Sequence, residues 1–210
     1  MKQTAAQIVR EYGPFPGVDG VHGVTWDGRR VWFASGEKLN AIDPETGGAI
    51  DSLDAEAYAG TAYDGRHLFQ IADSLIHRID PLTGKVLASI PAPSGGSGLA
   101  WAEGSLWVGQ FQGRRIHQVD PETGAVLRTI ESNRFVTGVT WVDGDLWHGT
   151  WEAEESDLRR IDPATGEVLE RLEMPAGVGV SGLESDGADR FFCGGGNSGR
   201  VRVVRRPARG

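Results

Sequence analysis

Residues 138–147 read Gly-Val-Thr-Trp-Val-Asp-Gly-Asp-Leu-Trp, and residues 159–166 read Arg-Arg-Ile-Asp-Pro-Ala-Thr-Gly. An aromatic strand, an Asp-Gly turn and a second strand thus lead through an irregular loop to a third strand and an Asp-Pro-x-Thr-Gly turn. Asp-Gly suits a tight hairpin because both residues tolerate positive φ. In the longer turn proline presets φ, the aspartate bonds the backbone and glycine takes the left-handed position.

The same unit recurs along the chain. It starts at Gly23, Gly60, Gly98 and Gly138, and a decayed copy starts at Gly182. The turn aspartates Asp43, Asp80, Asp120 and Asp162 are spaced by about 37, 40 and 42 residues, the period of a four-stranded propeller blade. A fourth strand follows each turn, as in Val86-Leu87, Val126-Leu127 and Val168-Leu169. The last unit lacks one, whereas Ile8-Val9 at the N-terminus has the right pattern with no unit before it.

These observations predict an all-β fold: a single five-bladed β-propeller with four antiparallel strands per blade. Blades 1 to 4 cover residues 21–53, 58–90, 97–130 and 137–172. Blade 5 takes its inner strands from 181–204 and its outer strand from 7–12, so the N-terminal strand closes the ring and removes a sheet edge. Trp26, Trp101, Trp141, Trp32, Trp107 and Trp147 occupy repeat positions and read as packing between blades; Trp151 falls outside the pattern.

Composition narrows the function classes. The net charge of −8 argues against a general nucleic-acid binder, which needs a basic face for phosphates. The start has no apolar targeting segment, no run has the length of a membrane span, and Cys193 is the one cysteine. The expectation is a cytoplasmic protein without membrane attachment, monomeric or weakly self-associating.

Uniform turns fall on one face of the disc. The divergent loops fall on the other, around the mouth of the central channel, where a site is expected. His22, Ala59, Ser97, Thr137 and Ser181 precede the strand-A glycines. Strand B ends in Gln70 and Asp73, in Gln110 and Gln112, in His148, Trp151 and Glu152, and in Cys193 and Asn197. Thr25, Thr140 and Glu184 are candidates for lining the channel.

Among these, His22, His148 and Glu184 are the candidate acid–base residues, since an imidazole near neutral pKa beside a carboxylate can move protons. Otherwise His22 caps a loop, His148 is a satisfied core residue and Glu184 pairs an inward arginine. Trp151, Glu152, Gln70, Gln110, Cys193 and Asn197 are the candidate substrate-binding residues. Glu152, Glu154, Glu155 and Asp157 form an acidic loop, either a solvated surface or an attractor of cations. A divalent metal held across blades in the channel is left open, because such a site needs no local motif. Arg200, Arg202, Arg205, Arg206 and Arg209 read as an exposed strand and tail.

The repeated Ile-Asp-Pro-x-Thr-Gly, with its Gly-x-x-Trp and Leu-Trp strands, resembles the YVTN-type β-propellers. With five repeats the nearest resemblance is to the plant and bacterial-type glutaminyl-peptide cyclotransferases, best matched by residues 142–151 and 160–166. Streptogramin-type lyases look similar in their Leu-Trp strands but resemble a seven-bladed ring. The cyclotransferase resemblance implies conversion of an N-terminal glutamine to pyroglutamate, with loss of ammonia, at the channel mouth. Family members carry an acidic or amide residue before a strand-A glycine. Here His22, Ala59, Ser97, Thr137 and Ser181 stand there, so no glutamate is carried over.

The expectation is therefore an enzyme acting on a small molecule or peptide by acid–base cyclisation or elimination, a transferase or a lyase. The alternative is a non-catalytic module binding a ligand or protein on the same face. The enzyme reading requires His22, His148 and Glu184 to converge on one pocket.

Overall fold

A computed structural model describes residues 1–208. Its strands form five sheets, and no helix occurs among the described residues. Blade 1 is built from β3 (Val24–Trp26), β4 (Val31–Ala34), β5 (Gly36–Ile42) and β6 (Ala49–Ala57). Blade 2 holds β7 (Thr61–Tyr63), β8 (Leu68–Ala72), β9 (Leu75–Ile79) and β10 (Val86–Pro91). Blade 3 holds β11 (Gly96–Ala102), β12 (Ser105–Gln110), β13 (Arg115–Val119) and β14 (Val126–Glu131). Blade 4 has β15 (Val136–Val142), β16 (Asp145–Thr150), β17 (Asp157–Ile161) and β18 (Val168–Glu173), and blade 5 has β19 (Leu183–Ser185), β20 (Arg190–Gly194) and β21 (Val201–Arg205). Each inner strand packs on the next, and β19 returns to β3 to close the ring.

The turns form as their composition dictates. In every Asp-Pro-x-Thr-Gly turn the glycine has positive φ, between 71° and 77°. Its N–H donates to the carbonyl of the turn aspartate at 2.7–2.9 Å. The aspartate Oδ1 accepts the backbone N–H two residues on, for instance Glu122 N at 2.9 Å. The repeated acids are thereby consumed in turn chemistry.

The N-terminus closes the ring, as expected, and then does more. β2 (Ile8–Tyr12) pairs antiparallel with β21 as the outer strand of blade 5. β1 (Lys2–Ala5) runs parallel to β18 as a fifth strand on blade 4. One N-terminal segment therefore bridges two neighbouring blades.

The repeat aromatics fill the spaces between blades. Trp101 stacks on Phe69 and Trp141 on Trp107, each pair with ring centroids 5.5 Å apart. Trp26 meets Phe192 at the same 5.5 Å. Blade 5 has Ser185 where other blades carry an aromatic, and there Phe191 packs against Trp147 at 4.9 Å instead. Cutting such a buried ring to Ala costs on the order of 3–5 kcal/mol.

At the axis the five strand-A glycines make the closest approach. A side chain on Gly98 would lie 2.3 Å from the Thr137 carbonyl oxygen, and one on Gly138 would lie 2.2 Å from the Leu183 nitrogen. The contact runs from blade to blade until Gly182 meets the His22 carbonyl. This glycine ring is the waist of the channel. Residues before the glycines lie on one side of it, and residues after them on the other.

Candidate functional site

Above the waist opens a cavity of about 620 Å³. All five residues that precede the ring glycines line it: His22, Ala59, Ser97, Thr137 and Ser181. The wall is completed by Tyr58, Phe111 and Trp151, by the loop through Gly177 and Val180, and by Gly195, Asn197, Ser198 and Arg202. No aspartate or glutamate is among its lining residues.

Two of the small polar groups are taken up in joining blades. The Ser97 hydroxyl reaches the Val136 and Thr137 carbonyls at 2.8 and 3.2 Å. Ser181 bonds the Val21 and His22 carbonyls at 2.5 and 3.0 Å. By contrast the His22 imidazole, the Tyr58 hydroxyl and the Asn197 amide make no hydrogen bond within the described protein. His22 is half-buried, and burial lowers its pKa from the ordinary 6.5, so the ring is neutral at neutral pH and free to accept a proton. Tyr58 tilts toward it with ring centroids 6.4 Å apart.

Trp151, outside the repeat, lies against the backbone of Gly179, where a side chain would fall 3.2 Å from the indole. Phe111, stacked on Phe135 at 4.8 Å, extends the aromatic wall on the blade 3 side. The loop after Trp151 is held by ion pairs. Glu152 pairs with Arg114 and lies 3.6 Å from Arg134, while Asp157 is buried against Arg159 at 2.8 Å and Arg171 at 2.9 Å. Glu152 does not line the cavity. Two of the four acids read as a solvated or cation-attracting surface thus bear a structural load, because a buried carboxylate without partners would be costly.

The required convergence of His22, His148 and Glu184 does not occur, since only His22 reaches the cavity. His148 is 1% exposed within blade 4, its Nδ1 3.2 Å from the Gly149 carbonyl, and burial pulls its pKa down to about 4. Glu184 lies beyond the waist. It accepts bonds from Thr25 at 2.9 Å and from Thr140, on the blades flanking its own. Part of its side chain is reached from the channel, yet the protein around the carboxyl pushes its pKa up to about 7.

The remaining candidates are mostly scaffold in position. Gln70 is fully buried and spans the Ala59 and Ile71 carbonyls. Gln110 braces the loop before β11 by donating to the Ser94 carbonyl at 2.5 Å. Cys193 is buried, and its thiol is pushed up to about 12 by desolvation. No group of three or more His, Cys, Asp or Glu side chains is placed to hold a metal ion among the described residues. Trp151 and Asn197 do reach the cavity.

Arg202 was missed. It is 8% exposed rather than part of an exposed strand, and it lines the cavity. Its position on β21 matches Asn40, His77, His117 and Arg159 on the third strands of the other blades, each bonded across to the fourth strand or a nearby loop. The signal was the Val-Arg-Val-Val alternation, which sets the arginine opposite Glu11. Arg209 lies outside the described residues.

The chain superimposes on the crystal structure of Myxococcus xanthus glutaminyl cyclase with a TM-score of 0.80, covering 97% of each chain at 19% identity. The fold is shared with a glutaminyl cyclase. Two further solved structures are less alike. Kuenenia stuttgartiensis hydrazine synthase gives a TM-score of 0.54 at 17% identity, over 84% of this chain and 55% of that one. A chain of the mitotic checkpoint complex gives 0.58 at 11% identity, over 96% and 92%. The sequence matches no protein-family model and no curated protein. No helix of the described residues is long and apolar enough to cross a membrane.

Proposed function

We propose that the chain is a glutaminyl cyclotransferase-like enzyme working in the cavity above the glycine ring, with His22 as its acid–base group. The observation that carries this reading is the His22 imidazole. It is neutral through burial, lacks a protein partner and faces a cavity of about 620 Å³ between an aromatic wall and polar loop residues. The likeness to a glutaminyl cyclase structure adds support.

In the reaction the substrate's α-amine attacks the carbonyl carbon of its own glutamine side chain. A C–N bond forms, the amine loses a proton to His22, and His22 returns a proton to the departing amide nitrogen, which leaves as ammonia. Both reacting groups belong to one molecule, so the protein's contribution is a folded substrate pose and a proton carrier. Trp151 and Phe111 offer a flat apolar wall for the residue after the glutamine, and the Asn197 amide is a free partner for the backbone between them.

Replacing His22 by Gln removes the proton carrier while keeping polarity. It is expected to lower kcat for cyclisation of a glutaminyl dipeptide by roughly 10²–10⁴-fold, the range for one general acid–base group. The pH profile of the wild type should lose activity on the acid side below the ordinary histidine value of 6.5, since the His22 pKa is lowered. A His22→Gln enzyme with unchanged kcat and pH profile would dismiss this assignment. The second reading, a binding module without turnover, is favoured by the lack of a carboxylate among the described residues lining this cavity, since Asp19 and Glu37 line instead the neighbouring one that shares His22 and Tyr58. Saturable binding of glutaminyl peptides with no ammonia released would establish it.

A further inference from the structure

The cavity contains one cation that the proton chemistry does not use. Arg202 is 8% exposed, and its Nε donates to Glu11 Oε1 at 2.8 Å. That is its only protein acceptor among the described residues. Its Nη1 lies against Gly195, where a side chain would stand 2.7 Å from the nitrogen. Gly195 has no positive φ, so what its missing side chain provides there is space, which the guanidinium borders. Glu11, which holds the Nε edge, comes from the N-terminal strand and is not a lining residue.

A guanidinium is a planar fork whose edges each suit a carboxylate. Here Glu11 takes the Nε donor, while the Nη donors have no protein acceptor among the described residues and Nη1 lies beside Gly195 on the wall of a cavity with no acidic lining residue. The Glu11 carboxylate offsets the charge, yet the remaining N–H donors of a mostly buried guanidinium favour an acceptor. We propose that Arg202 is a carboxylate anchor and that the cavity takes small organic acids, their carboxylate on the free guanidinium edge and their apolar part against Trp151 and Phe111. Resting on the cyclotransferase reading, the substrate class is then short glutaminyl compounds with a free carboxylate, such as dipeptides, in preference to their C-terminal amides.

The test is calorimetric binding of two matched pairs. The first is N-acetylphenylalanine against its carboxamide, which contains no glutamine and does not depend on turnover. The second is glutaminyl-phenylalanine against its amide, measured on His22→Gln. In each pair the acid is expected to bind at least about tenfold more tightly, the lower end for a charge-assisted hydrogen bond. In Arg202→Gln that ratio should fall to about one. If this variant does not fold, Arg202→Lys carries the test, and loss of the fork should shrink the ratio several-fold. Equal binding of acid and amide by the wild type overturns the inference, as does a preference that survives substitution of Arg202. Acid preference in the first pair with no ammonia release from any glutaminyl peptide would keep the anchor and remove the cyclase reading.

Discussion

Glu184, partly exposed, and His148, fully buried, have their pKa values displaced in opposite directions. Glu184 has its folded pKa raised from 4.5 to about 7 by desolvation, which outweighs the bonds from Thr140, Thr25 and the Ser185 and Trp26 backbone. Its stabilising contribution is full below pH 4.5 and is lost as pH rises through about 7, a change on the order of 3 kcal/mol. His148 has its folded pKa lowered to about 4 by desolvation. Its contribution is present above the ordinary 6.5 and is lost as pH falls toward 4. Glu184→Gln is therefore expected to raise Tm at pH 8 and to leave it nearly unchanged at pH 4.5. A thermal scan in which the wild type and this variant keep the same Tm difference at both values would contradict the assignment. At this scale the sequence marked Glu184 as anomalous, since threonine or alanine stands at its place in the other blades. It did not show that the glycine ring would separate Glu184 from His22, because that separation depends on how closely five backbones approach.

The N-terminal segment works as a clasp at the level of strands. The pattern Ile8-Val9 without a preceding unit was enough to assign β2 to blade 5, because a propeller needs every blade filled. β1 was not legible, since Lys2-Gln3-Thr4-Ala5 is polar and exposed and pairs through backbone alone. Deleting residues 1–12 removes both strands, the buried Tyr12 and the Glu11–Arg202 pair. Loss of a buried aromatic alone costs on the order of 3–5 kcal/mol, so a Tm drop of roughly 10 °C or more is expected by scanning calorimetry. An unchanged Tm would remove the clasp. Deleting only residues 1–6 should cost far less, as β1 buries little. The glycine ring makes a sharper demand: Gly98→Ala would set a carbon 2.3 Å from the Thr137 carbonyl. Backbone must move to relieve it, and a loss of about 1–3 kcal/mol in urea unfolding is the expected outcome.

Across the whole molecule the fold was readable because the unit is repeated, so each turn and aromatic confirmed the others. The site was readable only as a face of the disc. Residues before the ring glycines and after the second strands could be placed at the mouth from strand direction alone, and His22, Trp151 and Asn197 do line the cavity there. Arg202 belongs to a third strand, with β19 and β20 between it and the axis, and its guanidinium passes beside Gly195, where a side chain would crowd it. His148 has the right neighbours in sequence but points between blades, since alternate residues of a strand face opposite sides.

Among seven tryptophans, only Trp151 lines the cavity. The indole N–H resonances of a ¹⁵N-labelled sample therefore report where a ligand goes, with Trp151 identified by its loss in Trp151→Phe. Titration with pyroglutamyl-phenylalanine, the product of cyclisation, should shift the Trp151 resonance saturably and leave the six repeat tryptophans in place. Saturable binding that moves the repeat indoles and leaves Trp151 unmoved would contradict a site at the channel mouth.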